Sequence, residues 1–222
     1  MKYNKWIILV VLLIVASCYE AISAGERIFI NIGSGFGGFN TKIKSNTYHV
    51  PQPELPPLND VKYSNQNGYS IYVETLFPAT DNLNLGIGIQ HLISTSGNID
   101  EAFFDRYDLT GNSKADVNIT MPYLAARYRW SISGVELYSK LNIGYGFGRL
   151  KTKSLFVDET EEANGFGITP RLGMPFRISD IIDFNIECGY WYIKTSAIND
   201  DYYSNRLDFS GPFVQGGISF RL

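Results

Sequence analysis

Six charged residues stand within segments that otherwise alternate between apolar residues and small or polar ones. They are three acids and three bases, so the set is neutral: Glu74, Arg127, Glu136, Lys140, Arg171 and Glu187. Paired carboxylates can act as general acid and base, and rings of charged side chains can select ions in a pore. Opposite charges in a confined interior can equally form structural ion pairs, because a buried charge requires a partner.

Histidine, cysteine and glycine-rich motifs offer little further chemistry. Neither His49 nor His91 has a second His or Cys at ligand spacing, so no metal or cofactor site is predicted. His91 and Ser94 are an odd number of positions apart and would therefore point to opposite faces of a strand. The stretch "GSGFGGF" is followed by no helical pattern, which argues against a dinucleotide-binding loop.

The segments that carry the six charges alternate with period two, which predicts β-strands. They run for about 10–15 residues, whereas an average strand has about 5–6 and a tilted strand crossing a bilayer needs about 9–11. Eight such segments follow one another along the chain: 27–39, 68–77, 83–93, 116–130, 135–149, 165–176, 182–195 and one from about 207 to the end.

Short and long connections alternate between these segments. The long ones cover about 40–67, 94–115, 150–164 and 196–206. Short periplasmic turns and long external loops are typical of outer-membrane barrels. The sequence therefore predicts an all-β fold, an eight-stranded antiparallel up-and-down transmembrane β-barrel over residues 25–222. A soluble barrel of lipocalin type is the alternative. Aromatic residues at both ends of the strands favour the membrane.

The first 24 residues are predicted to be a secretory signal peptide. A basic start precedes an apolar run, Trp6 to Ala16, which is too short to span a bilayer as a helix of about 20 residues. Small residues precede a cut after Ala24. Cys18, in "VASC", also fits the lipobox of bacterial lipoproteins, so its lipidation is an alternative. A net charge of −3 without a basic stripe argues against nucleic-acid binding.

The segment "DVNITMPYLAARYRW" breaks the alternation. If Val117, Ile119 and Met121 face lipid, strict alternation also places Arg127 in lipid, which costs roughly 2–4 kcal/mol at mid-depth. Proline is tolerated at bulges, and a bulge changes which face the following residues occupy. We therefore predict a β-bulge near Pro122 that turns Arg127 inward.

The six charged residues are then predicted to share the barrel interior. An eight-stranded barrel is just wide enough to be filled by side chains, so inward charges must pair with one another. We interpret the six as one structural ion network that plugs the lumen. A selectivity filter or a catalytic carboxylate pair is the alternative, but so narrow a lumen leaves little room for a substrate.

The stretches "MPYLAARYRW…ELYSKLNIGYGFG" and "VQGGISFRL" resemble the small outer-membrane β-barrel superfamily, which includes OmpA-, OmpX- and OmpW-like and opacity-type, porin-like barrels. The resemblance covers residues 25–222. It implies location in the bacterial outer membrane, contact with its lipids, and recognition of Val214–Leu222 by the barrel-assembly machinery. Leu222 stands where such strands usually end in an aromatic residue, and Phe220 is third from the end.

Three functions are compatible with this resemblance. The first is a non-enzymatic surface barrel with a plugged lumen, whose loops serve a structural or adhesive role toward a host or environmental ligand. The second is an OmpW-like conduit for small hydrophobic solutes. The third is a lipid A-modifying enzyme, since some barrels of this size use a His with a nearby Ser. The spacing of His91 and Ser94 argues against the third.

A heat-modifiability gel tests the membrane-barrel prediction. Protein extracted from membranes should migrate differently with and without boiling, because a closed barrel stays folded in detergent until it is heated. A soluble protein without any mobility shift would overturn the interpretation.

Overall fold

The computed structural model describes residues 28–47, 61–99, 114–153, 158–199 and 203–222. The predicted signal peptide, Cys18 and His49 lie outside these residues. Within them, no helix is long and apolar enough to cross a membrane.

Eight antiparallel strands form one closed barrel in which each strand pairs with its neighbours in sequence, and the last pairs with the first. The sequence prediction of an eight-stranded up-and-down barrel is confirmed. The strands are β1 (Phe29–Thr47), β2 (Val61–Pro78), β3 (Leu83–Ile99), β4 (Lys114–Ile132), β5 (Val135–Lys153), β6 (Asp158–Arg177), β7 (Ile182–Asn199) and β8 (Tyr203–Arg221).

The barrel closes between β1 and β8 along nearly their whole length, from Phe29 opposite Arg221 to Thr47 opposite Tyr203. One further residue on each side extends the seam, since Ile28 and Leu222 exchange two backbone hydrogen bonds of 3.0 and 2.9 Å. Closure leaves no strand edge unpaired, which lipid requires because it offers no hydrogen-bond partners.

Three short connections lie at one end of the barrel, which we call the turn end; the opposite end is the loop end. Ser133 and Gly134 form the two-residue β4–β5 turn with φ of 51° and 83°. Positive φ at both central positions belongs to a type I′ hairpin turn, which glycine accommodates without strain. The other turns, 79–82 and 178–181, return backbone hydrogen bonds to Leu83 and Ile182.

The strands run further than the sequence predicted. They have 17–20 residues and extend into all four ranges predicted as long loops, for example to Thr47 in β1 and from Val61 in β2. Beyond the membrane both faces of a strand can meet water or polar groups, so the alternation that marks a membrane strand fades. The remaining parts of the predicted loops, 48–60, 100–113, 154–157 and 200–202, lie outside the described residues.

The predicted bulge near Pro122 is wrong. The register of β4 with β3 runs unbroken from Leu83 opposite Tyr128 to Ser94 opposite Val117. The pairing of β4 with β5 also keeps one register on either side of the proline. Arg127 does point inward, but it does so by strict alternation, and the apolar residues before Pro122 therefore point inward as well.

The two faces of the barrel wall differ in composition. Large apolar side chains are exposed on the outside, as expected of a surface that meets lipid, among them Ile32, Phe36, Leu124, Phe166 and Leu172. The inside is polar toward the turn end and apolar toward the loop end. The apolar part includes Val117, Ile119 and Met121, each at most 3% exposed, which the sequence reading had placed in lipid.

Deletion of Ser219–Leu222 should prevent assembly of the barrel. The truncation removes the last pairs of β8 with both β1 and β7, including the Ile28–Leu222 hydrogen bonds, and leaves two strand edges unpaired in lipid. The heat-modifiability gel should show no folded band. The single substitution Ser219→Ala keeps the backbone pairs and should still give the folded band; a folded band in the truncation would contradict this role of the seam.

Candidate functional site

Four charged side chains meet in the lumen and form one continuous ion-pair network. The Lys140 Nζ lies 2.8 Å from Glu74 Oε1 and 2.7 Å from Glu187 Oε1, so one ammonium group bridges both carboxylates. The Arg171 Nη1 lies 3.1 Å from Glu187 Oε2. All four side chains are at most 3% exposed. We call these four residues the lumen network; its formal charge is zero.

Neutral side chains complete the hydrogen bonds of the two carboxylates. Glu74 accepts from Asn31 Nδ2 at 2.9 Å and from the Tyr123 hydroxyl at 3.0 Å. Glu187 accepts from the Tyr138 hydroxyl at 2.8 Å and from Gln215. Gln90 in turn accepts from Arg171 Nη2 at 2.9 Å. With these partners the network receives a side chain from every one of the eight strands.

Tyrosine rings fill the space around the lumen network because glycines face them. A Cβ placed on Gly33 would lie 2.6 Å from the Tyr72 hydroxyl oxygen, and one placed on Gly217 would lie 2.5 Å from it. The ring of Tyr72 lies 5.3 Å from Lys140 Nζ and 5.4 Å from the Arg171 guanidinium carbon. The inward glycines of β1 and β8 therefore make room for an aromatic ring that contacts both cations.

Two of the six residues predicted for the interior network make no ion pair within it. Glu136 is a correction: its side chain is 52% exposed, and it reaches only Arg129, at 4.0 Å. It follows the β4–β5 turn by one residue and therefore lies at the rim, in water. Arg127 is buried as predicted but has no carboxylate within 4 Å among the described residues; its guanidinium carbon lies 4.7 Å from the Phe29 ring centre and 5.4 Å from that of Tyr138.

Apolar side chains pack together in the loop half of the lumen. Trp191 stacks on Phe213 with ring centres 4.1 Å apart and an interplanar angle of 21°. The Arg171 guanidinium carbon lies 5.3 Å from the Phe213 ring centre, which joins the apolar layer to the lumen network below it. The other members of this layer are at most 3% exposed: Leu92, Val117, Ile119, Met121, Ile193 and Phe209.

His91 and Ser94 do not come together. His91 lies half-buried on the outer face and shares a hydrogen bond of 2.9 Å between its Nδ1 and the Thr120 Oγ1. Ser94 is 2% exposed and points inward. Across the described ranges, no group of three His, Cys, Asp or Glu side chains is placed to hold a metal ion.

Sequence reasoning missed the neutral members of the site. Each of these residues occupies an inward-facing position of the period-two alternation at the level of Lys140, and that phase was the available signal: Asn31, Gln90, Tyr123, Tyr138 and Gln215. It was not decisive because many other inward polar residues share it, and because the bulge wrongly assigned to Pro122 obscured the phase of Tyr123.

The family model for the outer membrane protein beta-barrel domain matches residues 9–210. No curated protein matches the chain in sequence.

Similar solved structures include three outer-membrane barrels. The outer membrane protease OmpT from Escherichia coli is 9% identical with a TM-score of 0.48, covering 87% of this chain and 97% of its own. Neisserial surface protein A is 12% identical with a TM-score of 0.42, covering 88% and 97%. The attachment invasion locus protein Ail of Yersinia pestis is 15% identical with a TM-score of 0.41, covering 89% and 99%. None is close enough for its activity to bear on this chain.

The substitution Lys140→Met should destabilise the barrel by about 3–5 kcal/mol, because it leaves the buried carboxylates of Glu74 and Glu187 without their shared cation. Urea unfolding of the micelle-bound protein, followed by tryptophan fluorescence, measures the change in unfolding free energy.

The exposed pair Arg177–Asp180, with 3.0 Å between Nη2 and Oδ1, supplies the control. Arg177→Gln should change the unfolding free energy by less than about 1 kcal/mol. Equal effects of Lys140→Met and Arg177→Gln would contradict a structural role for the lumen network.

Proposed function

This chain belongs to the outer membrane protein beta-barrel domain family and is a protein of the bacterial outer membrane, and on that premise we propose that it is a non-enzymatic barrel with a closed lumen that presents its loops at the cell surface. The observation that carries the proposal is the lumen network, in which Lys140 joins carboxylates from β2 and β7 across the interior.

The turn half of the lumen would resist ion passage because its charges already neutralise one another. An ion entering the barrel would have to displace Lys140 or Arg171 from carboxylates at 2.7–3.1 Å. Breaking such a buried pair leaves an uncompensated charge in a medium of low dielectric constant, which costs several kcal/mol. A side-chain plug of this kind fits an eight-stranded barrel, whose interior is just wide enough to be filled.

The loop half adds a second barrier of different character. Its packed aromatic and aliphatic side chains offer a permeating ion no hydrogen-bond partners, and hydrophobic constrictions in channels exclude water and ions. The lumen network and the apolar layer lie one after the other along the lumen, and together they support the proposal that the barrel does not conduct ions.

Surface presentation is supported by the length of the strands. Strands of 17–20 residues exceed the roughly 9–11 needed to cross the membrane. Because the short turns gather at the other end, the excess length lies at the loop end, which faces outward in outer-membrane barrels. Strand ends such as Thr47 and Lys153 would therefore lie beyond the membrane, within reach of a host or environmental ligand.

The absence of enzyme activity is part of the proposal. The buried carboxylates Glu74 and Glu187 are bonded to cations and neutral donors, so neither is free to act as a general acid or base toward a substrate. His91 faces outward, away from Ser94, so a lipid A-modifying pair receives no support.

The apolar layer favours a second candidate, a conduit for small hydrophobic solutes. Leu92, Trp191, Ile193 and Phe213 would suit an apolar guest if they moved apart. In the present packing they fill the lumen, and the lumen network blocks straight passage toward the turn end. A conduit would therefore need a rearrangement that the closed-barrel proposal does not need.

Single-channel recording in planar bilayers tests the proposal. The purified, refolded protein should give no steady conductance above that of a protein-free bilayer, and insertion is verified by the heat-modifiable band of protein recovered from vesicles prepared in parallel. A large, steady conductance would contradict the closed lumen. Uptake of an apolar dye into protein-containing vesicles, faster than into empty ones, would favour the conduit instead.

A further inference from the structure

Three guanidinium groups surround the ring of Phe29 at the turn end of the lumen. The guanidinium carbons of Arg127, Arg129 and Arg221 lie 4.7, 5.7 and 6.0 Å from the ring centre. Arginine stacks favourably on aromatic rings, and the contacts with Phe29 therefore place three positive charges close together.

The carboxylates nearby do not neutralise this charge equally. Asp183 binds Arg221 through both oxygens, with Nη2 contacts of 2.8 and 2.7 Å. Glu136 approaches Arg129 only to 4.0 Å.

The third cation, Arg127, carries the excess charge. It is 5% exposed and has no ion pair among the described residues, and its Nε has no hydrogen-bond partner there. Burying a charge without a partner is costly. The turn end of the lumen therefore has an excess of buried positive charge.

A cavity of about 380 Å³ opens beside this cluster. It is lined by Phe29, by Pro78 at the end of β2, by the turn residues 79–81, and by Arg129 and Arg221. The volume falls in the range of small-molecule sites, roughly 300–1,000 Å³. Arg129 anchors the turn by donating from Nη2 to the Asp81 carbonyl oxygen at 2.8 Å, while its Nε has no hydrogen-bond partner among the described residues.

Arg127 would act on a ligand without touching it. Arg127 does not line this cavity, and the void that it lines together with Phe29 has a volume of only about 10 Å³, room for one water at most. Its charge would reach the cavity across the Phe29 ring. The direct donors would be Arg129 and Arg221, whose planar groups match the oxygens of a carboxylate or phosphate. The opposing acids are Asp81 in the cavity wall, Asp183 and Glu136.

We propose that this cavity, which we call the arginine site, binds a small organic oxyanion, a carboxylate or a phosphate ester, that enters from the turn end of the barrel. The apolar lining residues Phe29, Pro78 and Ala79 would contact the body of the ligand, while Arg129 and Arg221 bind its charged group. The site is independent of the closed lumen and of the surface loops.

An NMR titration of the full-length, micelle-bound protein tests the arginine site. Inorganic phosphate and acetate are titrated separately at constant ionic strength, and the backbone amide signals of residues 79–81 are followed. At least one of the two anions should give a saturable shift. Arg129→Gln should weaken binding at least tenfold, and Glu136→Gln should tighten it several-fold, because Arg129 then loses its competing carboxylate.

Arg177→Gln and Asp180→Asn provide matched controls, since this exposed pair lies at the same end of the barrel but outside the cavity. Neither should change the apparent Kd. Saturation by phosphate alone indicates a phosphate ester, saturation by acetate alone a carboxylate, and saturation by both a general oxyanion site.

Two results would overturn the proposal. The first is the absence of saturable shifts with both anions. The second is a loss of binding in Arg177→Gln as large as that in Arg129→Gln, which would indicate unspecific attraction. If Arg129→Gln gives no heat-modifiable band, Arg129→Lys replaces it; keeping the charge but losing the planar fork should still weaken binding several-fold.

Discussion

Two carboxylates in the middle of a closed ring of strands set the constraint on which this barrel depends. Glu74 and Glu187 are almost completely buried, where an unpaired charge would cost several kcal/mol. Their partners come from β1, β4, β5, β6 and β8, with Lys140 shared between the two carboxylates, and Gln90 of β3 binds Arg171. The strands are thus tied across the lumen as well as along their edges. The ring of Tyr72 contacts both Lys140 and Arg171. Gly33 and Gly217 face this ring, and a Cβ at either position would collide with it.

Around this network, the composition of the barrel differs between its outer and inner faces and between its turn end and its loop end. The outer wall carries the apolar side chains that lipid requires, and the lumen changes from polar to apolar toward the loop end. At the turn end, Arg127 and its neighbours collect around Phe29 with fewer carboxylates than cations in close contact. A charge-balanced centre and an unbalanced rim are different environments. The excess of positive charge at the turn end is the basis on which we propose an oxyanion site there.

The fold was predictable from the sequence because a barrel repeats one simple rule eight times. Strict alternation marks each strand, and the positions of Lys140, Arg171 and Glu187 relative to their turns predict that they meet. Alternation also holds in β4, but polarity does not tell which face is inside where the inward residues are apolar. Val117, Ile119 and Met121 look like lipid-facing residues in sequence, and the unbroken register through Pro122 places them in the core. Glu136 occupies an inward-facing position of the alternation but lies too near its turn to be buried. The alternation predicts which face a side chain occupies, not how far along the lumen it lies. Partners such as Asn31 and Gln215 depend on the stagger between strands, which a single sequence does not determine.

A double-mutant cycle between Glu74 and Lys140 measures directly whether the lumen network acts as one unit. The unfolding free energies of the wild type, Glu74→Gln, Lys140→Met and the double variant are compared under the same micelle conditions. A coupling free energy of about 1–3 kcal/mol is expected, because removing the carboxylate relieves part of the cost of removing its cation. Additivity within about 0.5 kcal/mol would contradict the lumen network as the interaction on which the structure of the barrel depends.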